Sequence, residues 1–431
     1  MLTKEENDLL TLTGPGTPMG TLFRRYWLPV MLSEELAGPS CPPVRLRVMN
    51  EDLVAFRNER GEVGIIDAYC PHRFSPMFFG RNEGDGLRCV YHGWKFDTTG
   101  QCIEMPFVAE GESFAKKVKI PSYPAVDRGG FIWSYMGPED KMPPVPAWEF
   151  MDLPPSHREN WKIEVECNWL QSMEGQNDPT HGYYTHGFVA GNDRNPSAMM
   201  GISNRAQFNG VRLPEVIEDT KYGVRWATVW EAEGDEKWVN VGHWVLPIFD
   251  PLRGRNQGPQ GGRLQLGYSR MRVPIDDTNC MVMRVRYDPD KVLDDAFREA
   301  HDAWLIPEKI PGTYKPKANK TNDYGIDRLL QKNYTYTGIN NFPLQDIALI
   351  ENQGGPIMDR TRETLASGDE INIHIRRQLI RAARALMQGE EPLAPQNPDT
   401  FLIRAGSFKV AKDRPVKDVL LEAVPQLVPV A

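Results

Sequence analysis

Two short arms, Cys70-Pro71-His72 and Cys89-Val90-Tyr91-His92, stand sixteen residues apart (73 to 88), so four metal-ligating side chains fall within 23 positions. Nothing else in the chain constrains its fold as much, because the backbone around these arms must bring two loop tips to one place. Two chemistries compete. A structural zinc ion accepts Cys2His2 ligands, but zinc-finger sequences usually pair Cys with Cys and His with His. Here each arm supplies one of each. That suits a [2Fe–2S] cluster held by two cysteines on one iron and two histidines on the other. Pro71 stiffens one tip, and Gly93 lets the chain turn after the other.

With 431 residues the chain is too long for one ordinary core, so two domains are expected. The net charge of -8 argues against a nucleic-acid partner, which favours a basic face. No run of 18 or more apolar residues is present, so no membrane span is expected. The start, MLTKEENDLLTLTGPG, lacks an apolar h-region and carries no secretory signal. Six cysteines in so long a chain are not a disulfide framework, which makes the cytoplasm the expected compartment.

The first third reads as β-structure. VRLRVMNEDLVAFRN (44–58), the polar turn NERGE and VGIIDAYC form a hairpin leading into the first arm. A further turn falls at 97–100, and the short strands together predict a small antiparallel sandwich. Proline becomes dense between about 137 and 158, which marks a linker. The domains are therefore placed at 1–158, with a core at about 40–140, and 159–431. The second part opens with a strand-like stretch passing into a helix at WKIEVECNWLQSMEG. Strand-like segments follow at 224–248 and 264–288, then a helix at 370–389. Sheet and long helices in separate runs give an α+β class.

A cluster that only passes electrons leaves the second domain without a purpose. The stretch NWLQSMEGQNDPTHGYYTHG (168–187) supplies one, in Asp178-x-x-His181-x-x-x-x-His186. Two histidines and one carboxylate on one face of an iron leave positions open for O2 and substrate. Asp178-Pro179 reads as a helix N-cap with Pro in the first turn. Five steps of ~100° put residues 181 and 186 about 140° apart on an ideal helix, so a regular helix cannot aim both at one metal. Candidates for a further carboxylate are Asp346, Glu351 and Asp359 in NNFPLQDIALIENQGGPIMDRTRETL (340–365). Asp346 is flanked by Leu344, Ile347, Leu349 and Ile350, a setting in which an unpaired carboxylate is costly.

The pattern C-x-H, sixteen residues, C-x-x-H-G-W resembles the Rieske motif of the ring-hydroxylating, non-haem iron oxygenases. Respiratory Rieske proteins carry an extra cysteine in each loop; this chain has Ser75 and Tyr91 near those places and leaves Cys102 unpaired. Three stretches resemble the phthalate-dioxygenase branch, in its terminal oxygenase (alpha) subunit: GPGTPMGTLFRRYWLPVMLSEEL (14–36), FFGRNEG…LRCVYHGWKFD and QDIALIENQGGPIMDRTRE. The resemblance implies a Rieske sandwich followed by a helix-grip, START-like catalytic domain with a curved antiparallel sheet. It implies that Cys70, His72, Cys89 and His92 hold the [2Fe–2S] cluster, and that His181, His186 and Asp346 hold a mononuclear Fe(II). Asp178 then becomes a bridge: it hydrogen-bonds His181 and the cluster ligand His92 of a neighbouring subunit, in a head-to-tail homotrimer or a dimer of such trimers. Arg205 is the implied substrate-carboxylate anchor. A second arginine is absent at 238–247, where Asn240 and His243 stand instead.

The implied reaction is reductive O2 activation, with electrons from NADH through a reductase carrying FMN and a [2Fe–2S] centre. The substrate is an aromatic acid and the product a cis-dihydrodiol, a phenol, or a hemiacetal that collapses to phenol and formaldehyde. Arg73, Arg81, Arg88 and Lys95 are candidates for a reductase docking face, and His157, His301 and His374 are non-ligands. The rival from another class is a Rieske electron-transfer or ligand-binding protein without oxygenase chemistry.

Overall fold

The computed structural model describes residues 2–108, 114–187, 189, 213–232, 234–253, 267–403 and 405–422. The β-rich first part holds three small antiparallel sheets. One orders Val44–Val48, Glu51–Arg57, Val63–Asp67 and Ser122–Tyr123 side by side; a second is the meander Arg81–Glu83, Gly86–Arg88, Lys95–Asp97 and Cys102–Glu104. The third joins Trp27–Leu32 to Phe131–Tyr135 and Ala125–Arg128.

The stretch 44–58, expected as one arm of a hairpin, is itself a hairpin. Met49 and Asn50 adopt φ of 46° and 67°, the left-handed pair that a two-residue turn needs. Asn at the second place is a usual turn residue; Met at the first is not, which hid the turn. The expected turn at 97–100 is present, with Gly100 at φ 80°.

The second part is built on one large antiparallel sheet. Its order is Arg158–Val165, Cys280–Tyr287, Gly267–Pro274, Phe249–Arg253, Glu236–Val245, Gly223–Glu231 and Pro214–Asp219, with Gly406–Ala411 also pairing along Glu236–Val245. The helix Glu370–Met387 lies against Gly223–Glu231 and Pro214–Asp219. It buries Ile371, Ile375, Leu379, Ala383 and Leu386, an apolar stripe at helical spacing. The N-terminal helices Lys4–Thr11 and Pro18–Phe23 also pack on this helix.

A small core of Val54, Phe56, Ile66, Met77, Leu87, Phe96 and Ile120 lies behind the two Cys–His arms. A larger one runs without a break from the first part into the second. The proline-dense stretch 137–158 is not a free linker: Trp148 packs on Phe249 at 5.1 Å and on Phe401 at 5.2 Å between ring centroids. Phe150 packs on Phe131 of the first part at 6.2 Å, so the aromatic residues bind the stretch to the core on both sides.

Candidate metal centres

The two Cys–His arms share one backbone design. Cys70 N–H donates to Ser75 O at 2.9 Å while Phe74 N–H donates to Cys70 O at 2.9 Å; Cys89 N–H donates to Trp94 O at 2.8 Å while Gly93 N–H donates to Cys89 O at 2.9 Å. The fifth residue of each loop is left-handed, Phe74 at φ 53° and Gly93 at φ 75°. The loops thus form a matched pair, one joining the first sheet to the meander and one between two meander strands. Their cysteines are buried, whereas His72 is exposed and His92 is half-buried. The histidine rings lie 4.4 Å apart between centroids, and His72 stacks on Trp94 at 4.4 Å. Burial, then the neighbouring sulfurs of Cys89 and Cys102, push the Cys70 thiol up to about 12. Such a thiol ionises only when a cation is bound beside it.

A tetrahedral zinc would draw all four donors to one point. Among the described residues, one set of donor atoms closes on a single point, and it lies in the second domain. Buried thiols and outer imidazoles suit the two-iron cluster, which Cys70 and Cys89 would hold from the inner side and His72 and His92 from the outer. Of the basic residues nearby, Arg88 pairs with Glu83 and Glu104, and the buried Lys95 pairs with Glu104 at 3.0 Å. Their charge is therefore spent inside the domain. Arg73 and Arg81 stay exposed, although Arg81 also pairs with Glu83 at 3.2 Å.

The converging set is His181, His186 and Asp346, whose ligand atoms all lie within 4.8 Å of one another. Asp346 Oδ1 is 3.5 Å from His181 Nε2 and 3.1 Å from His186 Nε2. Metal–ligand bonds of about 2.0–2.2 Å put adjacent donors about 3 Å apart, so the spacing fits one ion. The angular problem posed by the sequence is solved by brevity. The helix is only Gly182–Thr185, and the histidines are its flanking cap residues, His181 at φ −60°, ψ −32° and His186 at φ −107°, ψ 5°.

Asp178 does not cap that helix, contrary to the sequence expectation. Its Oδ1 accepts from Thr180 N–H at 2.7 Å and Thr180 Oγ1 at 2.6 Å, closing the turn before it. The contact of Asp178 with His181 also differs from the expected one. The backbone carbonyl of Asp178 accepts from His181 Nδ1 at 2.6 Å, while its carboxylate Oδ2 stands 3.9 Å from that atom. On the other imidazole, Gln345 Oε1 accepts from His186 Nδ1 at 2.7 Å. Gln345 Nε2 in turn donates to Ile339 O at 2.8 Å, which fixes the amide orientation. Phe342 stacks on His186 at 3.9 Å. The role of Gln345 was missed in the sequence, although it sits beside Asp346; the signal was a buried amide one residue from a candidate ligand.

With both Nδ1 atoms donating to carbonyl oxygens, each Nε2 presents its lone pair toward Asp346. Three lone pairs facing one another call for a cation between them. Without one, the groups compensate: burial alone would raise the Asp346 carboxyl and lower His181, but His186 and His181 together hold Asp346 well below the carboxylate range, and Asp346 holds His181 above the usual imidazole value. Two imidazoles and a carboxylate on one side, with Asp346 and His181 still about a quarter exposed, make the donor set of an open non-haem iron site.

The competing carboxylates are engaged elsewhere. Glu351 accepts from Glu166 N–H at 2.7 Å and Tyr324 OH at 2.5 Å, and Asp359 closes a turn with Thr361. His157 bonds Asp288 O and His374 bonds Asp219; the side chain of His301 lies outside the described residues, as does Arg205. His243 is buried against Tyr222 OH at 3.0 Å.

Known proteins resemble this chain along most of its length. Residues 26–124 match the Rieske [2Fe-2S] domain and residues 134–414 the LigXa C-terminal domain like family. The chain is 34% identical over 89% of its length to the 3-chlorobenzoate-3,4-dioxygenase oxygenase subunit of Comamonas testosteroni, covering 89% of that protein. The chain belongs to the Rieske non-haem iron ring-hydroxylating oxygenases. Within them it is a terminal oxygenase subunit of the phthalate-dioxygenase-like branch. It is 34% identical over 91% of its length to the phthalate 4,5-dioxygenase oxygenase subunit of Pseudomonas putida, covering 89% of that protein. Against the 5,5'-dehydrodivanillate O-demethylase oxygenase subunit of Sphingobium sp. it is 32% identical over 91%, covering 83% of that protein. Crystal structures of dicamba monooxygenase share the fold, at a TM-score of 0.60, 17% identity, 85% of this chain and 99% of that one. This Rieske oxygenase is an oxidoreductase that uses a [2Fe–2S] cluster and a mononuclear non-haem iron.

Proposed function

We propose that this oxygenase hydroxylates or O-demethylates an aromatic carboxylate, driven by NADH through a reductase carrying FMN and a [2Fe–2S] centre. The observation that carries the proposal is the convergence of His181, His186 and Asp346 with both Nδ1 atoms already bonded. In this reading those three residues hold the mononuclear Fe(II), and Cys70, His72, Cys89 and His92 hold the cluster. The first domain is 1–158 and the catalytic domain 159–431. The aromatic acids in the names of the three relatives support the substrate class.

Bound between the two histidines and Asp346, Fe(II) supplies reductive activation of O2 with electrons delivered from the cluster. The chain's residues do the rest. Gln345 and the Asp178 carbonyl keep each imidazole proton on Nδ1, so both Nε2 atoms stay available as ligands. The free Oδ2 of Asp178 is the group that would meet His92 of the next subunit in a homotrimer. Exposed apolar residues beside His72 and His92 support such a contact: Phe74 is 76% exposed, Tyr91 55% and Val90 53%. We place the enzyme in the cytoplasm, a reading supported by six free cysteines. The net charge of -8 supports a partner set without nucleic acid. Among the described residues no helix is long and apolar enough to cross a membrane.

The test is a panel of benzoate, phthalate and methoxybenzoates with a surrogate reductase. NADH-coupled O2 uptake is followed and dihydrodiol, phenol and formaldehyde are separated. Uptake stimulated by at least one acid, with one of these products, is expected. A protein that takes up electrons but makes no oxygenated product from any acid returns the reading to electron transfer or binding alone.

A further inference from the structure

Side chains two apart on a strand share a face, as do residues paired across strands. Arg270 and Arg272 on Gly267–Pro274 therefore share a face with Tyr268, and with Arg284 and Arg286 on Cys280–Tyr287, since Arg270 pairs with Arg284 and Tyr268 with Arg286. This face looks toward the helix that leads into the mononuclear site: Arg272 Nε donates to Ser172 O at 2.9 Å, on Trp169–Gln176. All four arginines are buried, none more than 7% exposed.

Two of them are neutralised. Arg272 pairs with Asp250, and Arg286 with Glu159 and Asp302. The other two have no carboxylate partner among the described residues. Arg284 Nη1 reaches only the Tyr268 hydroxyl, at 3.4 Å, and Arg270 lies 5.0 Å from the Tyr268 ring centroid. The Nε atoms of both are buried without a hydrogen bond. Asp250 stands opposite Arg270 in the sheet and acts on it through space, but its hydrogen bonds go to Arg272 on one oxygen and to Asn177 Nδ2 on the other, at 2.8 Å. The stretches 190–212 and 254–266, outside the described residues, hold one carboxylate, Asp193, and five arginines, so their sequence brings no surplus of negative charge. Two like charges buried side by side without an anion are unfavourable twice over, by desolvation and by repulsion.

We infer that Arg270, Arg284 and Tyr268 form an anion site that takes the carboxylate of the substrate, an inference that rests on the proposed oxygenase function and deepens it. A planar carboxylate accepts paired N–H donors from guanidinium groups in the geometry that arginine favours, and the Tyr268 hydroxyl adds a third donor. A chain of bonds links the site to the mononuclear centre. Asp250 stands opposite Arg270 in the sheet, and its bond to Asn177 ties that strand to the residue just before Asp178.

The experiment titrates the iron-loaded enzyme with benzoate and phthalate, and with benzamide as an uncharged control, by calorimetry. Wild type is compared with Arg270→Met, Arg284→Met and Arg284→Lys, and the thermal midpoint of each ligand-free protein is recorded. The expected result is a loss of affinity of tenfold or more for the carboxylates in both Met variants, partial recovery in Arg284→Lys, and no change for benzamide. The midpoint should stay level or rise, because an unpaired buried cation has been removed. Carboxylate affinity within twofold of wild type, a wild type that binds neither acid, equal loss for benzamide, or Met variants that fail to fold would each overturn the inference. O2 uptake with the reductase separates the two claims. If only the anion site is misplaced, uptake with the acids persists in the variants; if the oxygenase reading fails, wild type binds acids yet makes no product.

Discussion

The cluster loops and the mononuclear site are framed in opposite ways. Loops 70–75 and 89–94 each hold their own cysteine by two backbone hydrogen bonds that close within the loop. The mononuclear site has its two imidazoles on one short segment, but its carboxylate and its orienting amide arrive from residues 346 and 345. Its position depends on buried polar links. Glu174, on the helix before Asp178, is held by Arg360 and Arg376, and Asn177 by Asp250. Local framing makes the first site insensitive to the rest of the fold, while long-range framing makes the second a reporter of it.

The sharpest way to break that contrast is Glu174→Gln, which leaves two buried arginines without their shared anion. Removing one partner of a buried pair costs about 3–5 kcal/mol. Thermal unfolding should fall accordingly and mononuclear iron should be lost, while the cluster spectrum is retained. Burial alone would raise the Glu174 carboxyl, but Arg360 and Arg376 hold it below its ordinary value of 4.5. A lowered folded value means the stabilisation is complete above the ordinary value of 4.5 and is lost as pH falls from there through the folded value. Wild type should therefore lose stability more steeply than Glu174→Gln below about pH 4.5. Parallel pH slopes for the two proteins would remove Glu174 from this role.

Next in size is Asp178→Asn. Both metals should remain, and turnover should fall about 10–100-fold, the effect usual for a carboxylate supporting a metal ligand. Full activity would leave Asp178 with its turn-closing bonds to Thr180 alone. A smaller change is expected from Gln345→Ala, which frees His186 Nδ1: iron affinity in a chelator competition should weaken by about tenfold. The cluster EPR signal of the reduced state should stay as in wild type; a disturbed signal would show that the two sites are not independently framed.

The smallest effects test the loops. Gly93→Ala forces a side chain into φ 75°, with its Cβ 2.8 Å from Pro106 Cγ, and should cost about 1–2 kcal/mol and bleach the cluster sooner on heating. Phe74→Gly relieves the same conformation in the partner loop and should change stability by less than about 1 kcal/mol. A silent Gly93→Ala would show that the loops are not held as tightly as their hydrogen bonds suggest.

The same contrast explains what could be read in the sequence. Cys70, His72, Cys89 and His92 were legible because a local motif places them. His181 and His186 were visible as a pair, but their convergence was not, since an ideal helix separates them and only the cap positions of a four-residue helix bring them together. Asp346 stood out by its apolar flanks, but the resemblance was needed to choose it over Glu351. The bonding of Glu351 to Tyr324 and Glu166 exists only in the folded chain. The hairpin at Met49 was hidden by an uncommon turn residue, and the packed stretch 137–158 by its prolines. Arg270 and Arg284 stand fourteen positions apart on strands whose register no single sequence reveals.

The central claim is that one iron, separate from the cluster, is held by His181, His186 and Asp346. Iron content with reduced-state EPR on Asp346→Ala tests it directly. Wild type should hold the two irons of the cluster and one more per chain. The variant should lose only the additional iron and keep an unchanged Rieske signal. Full retention of that iron in Asp346→Ala, or loss of the cluster signal with it, would contradict the account.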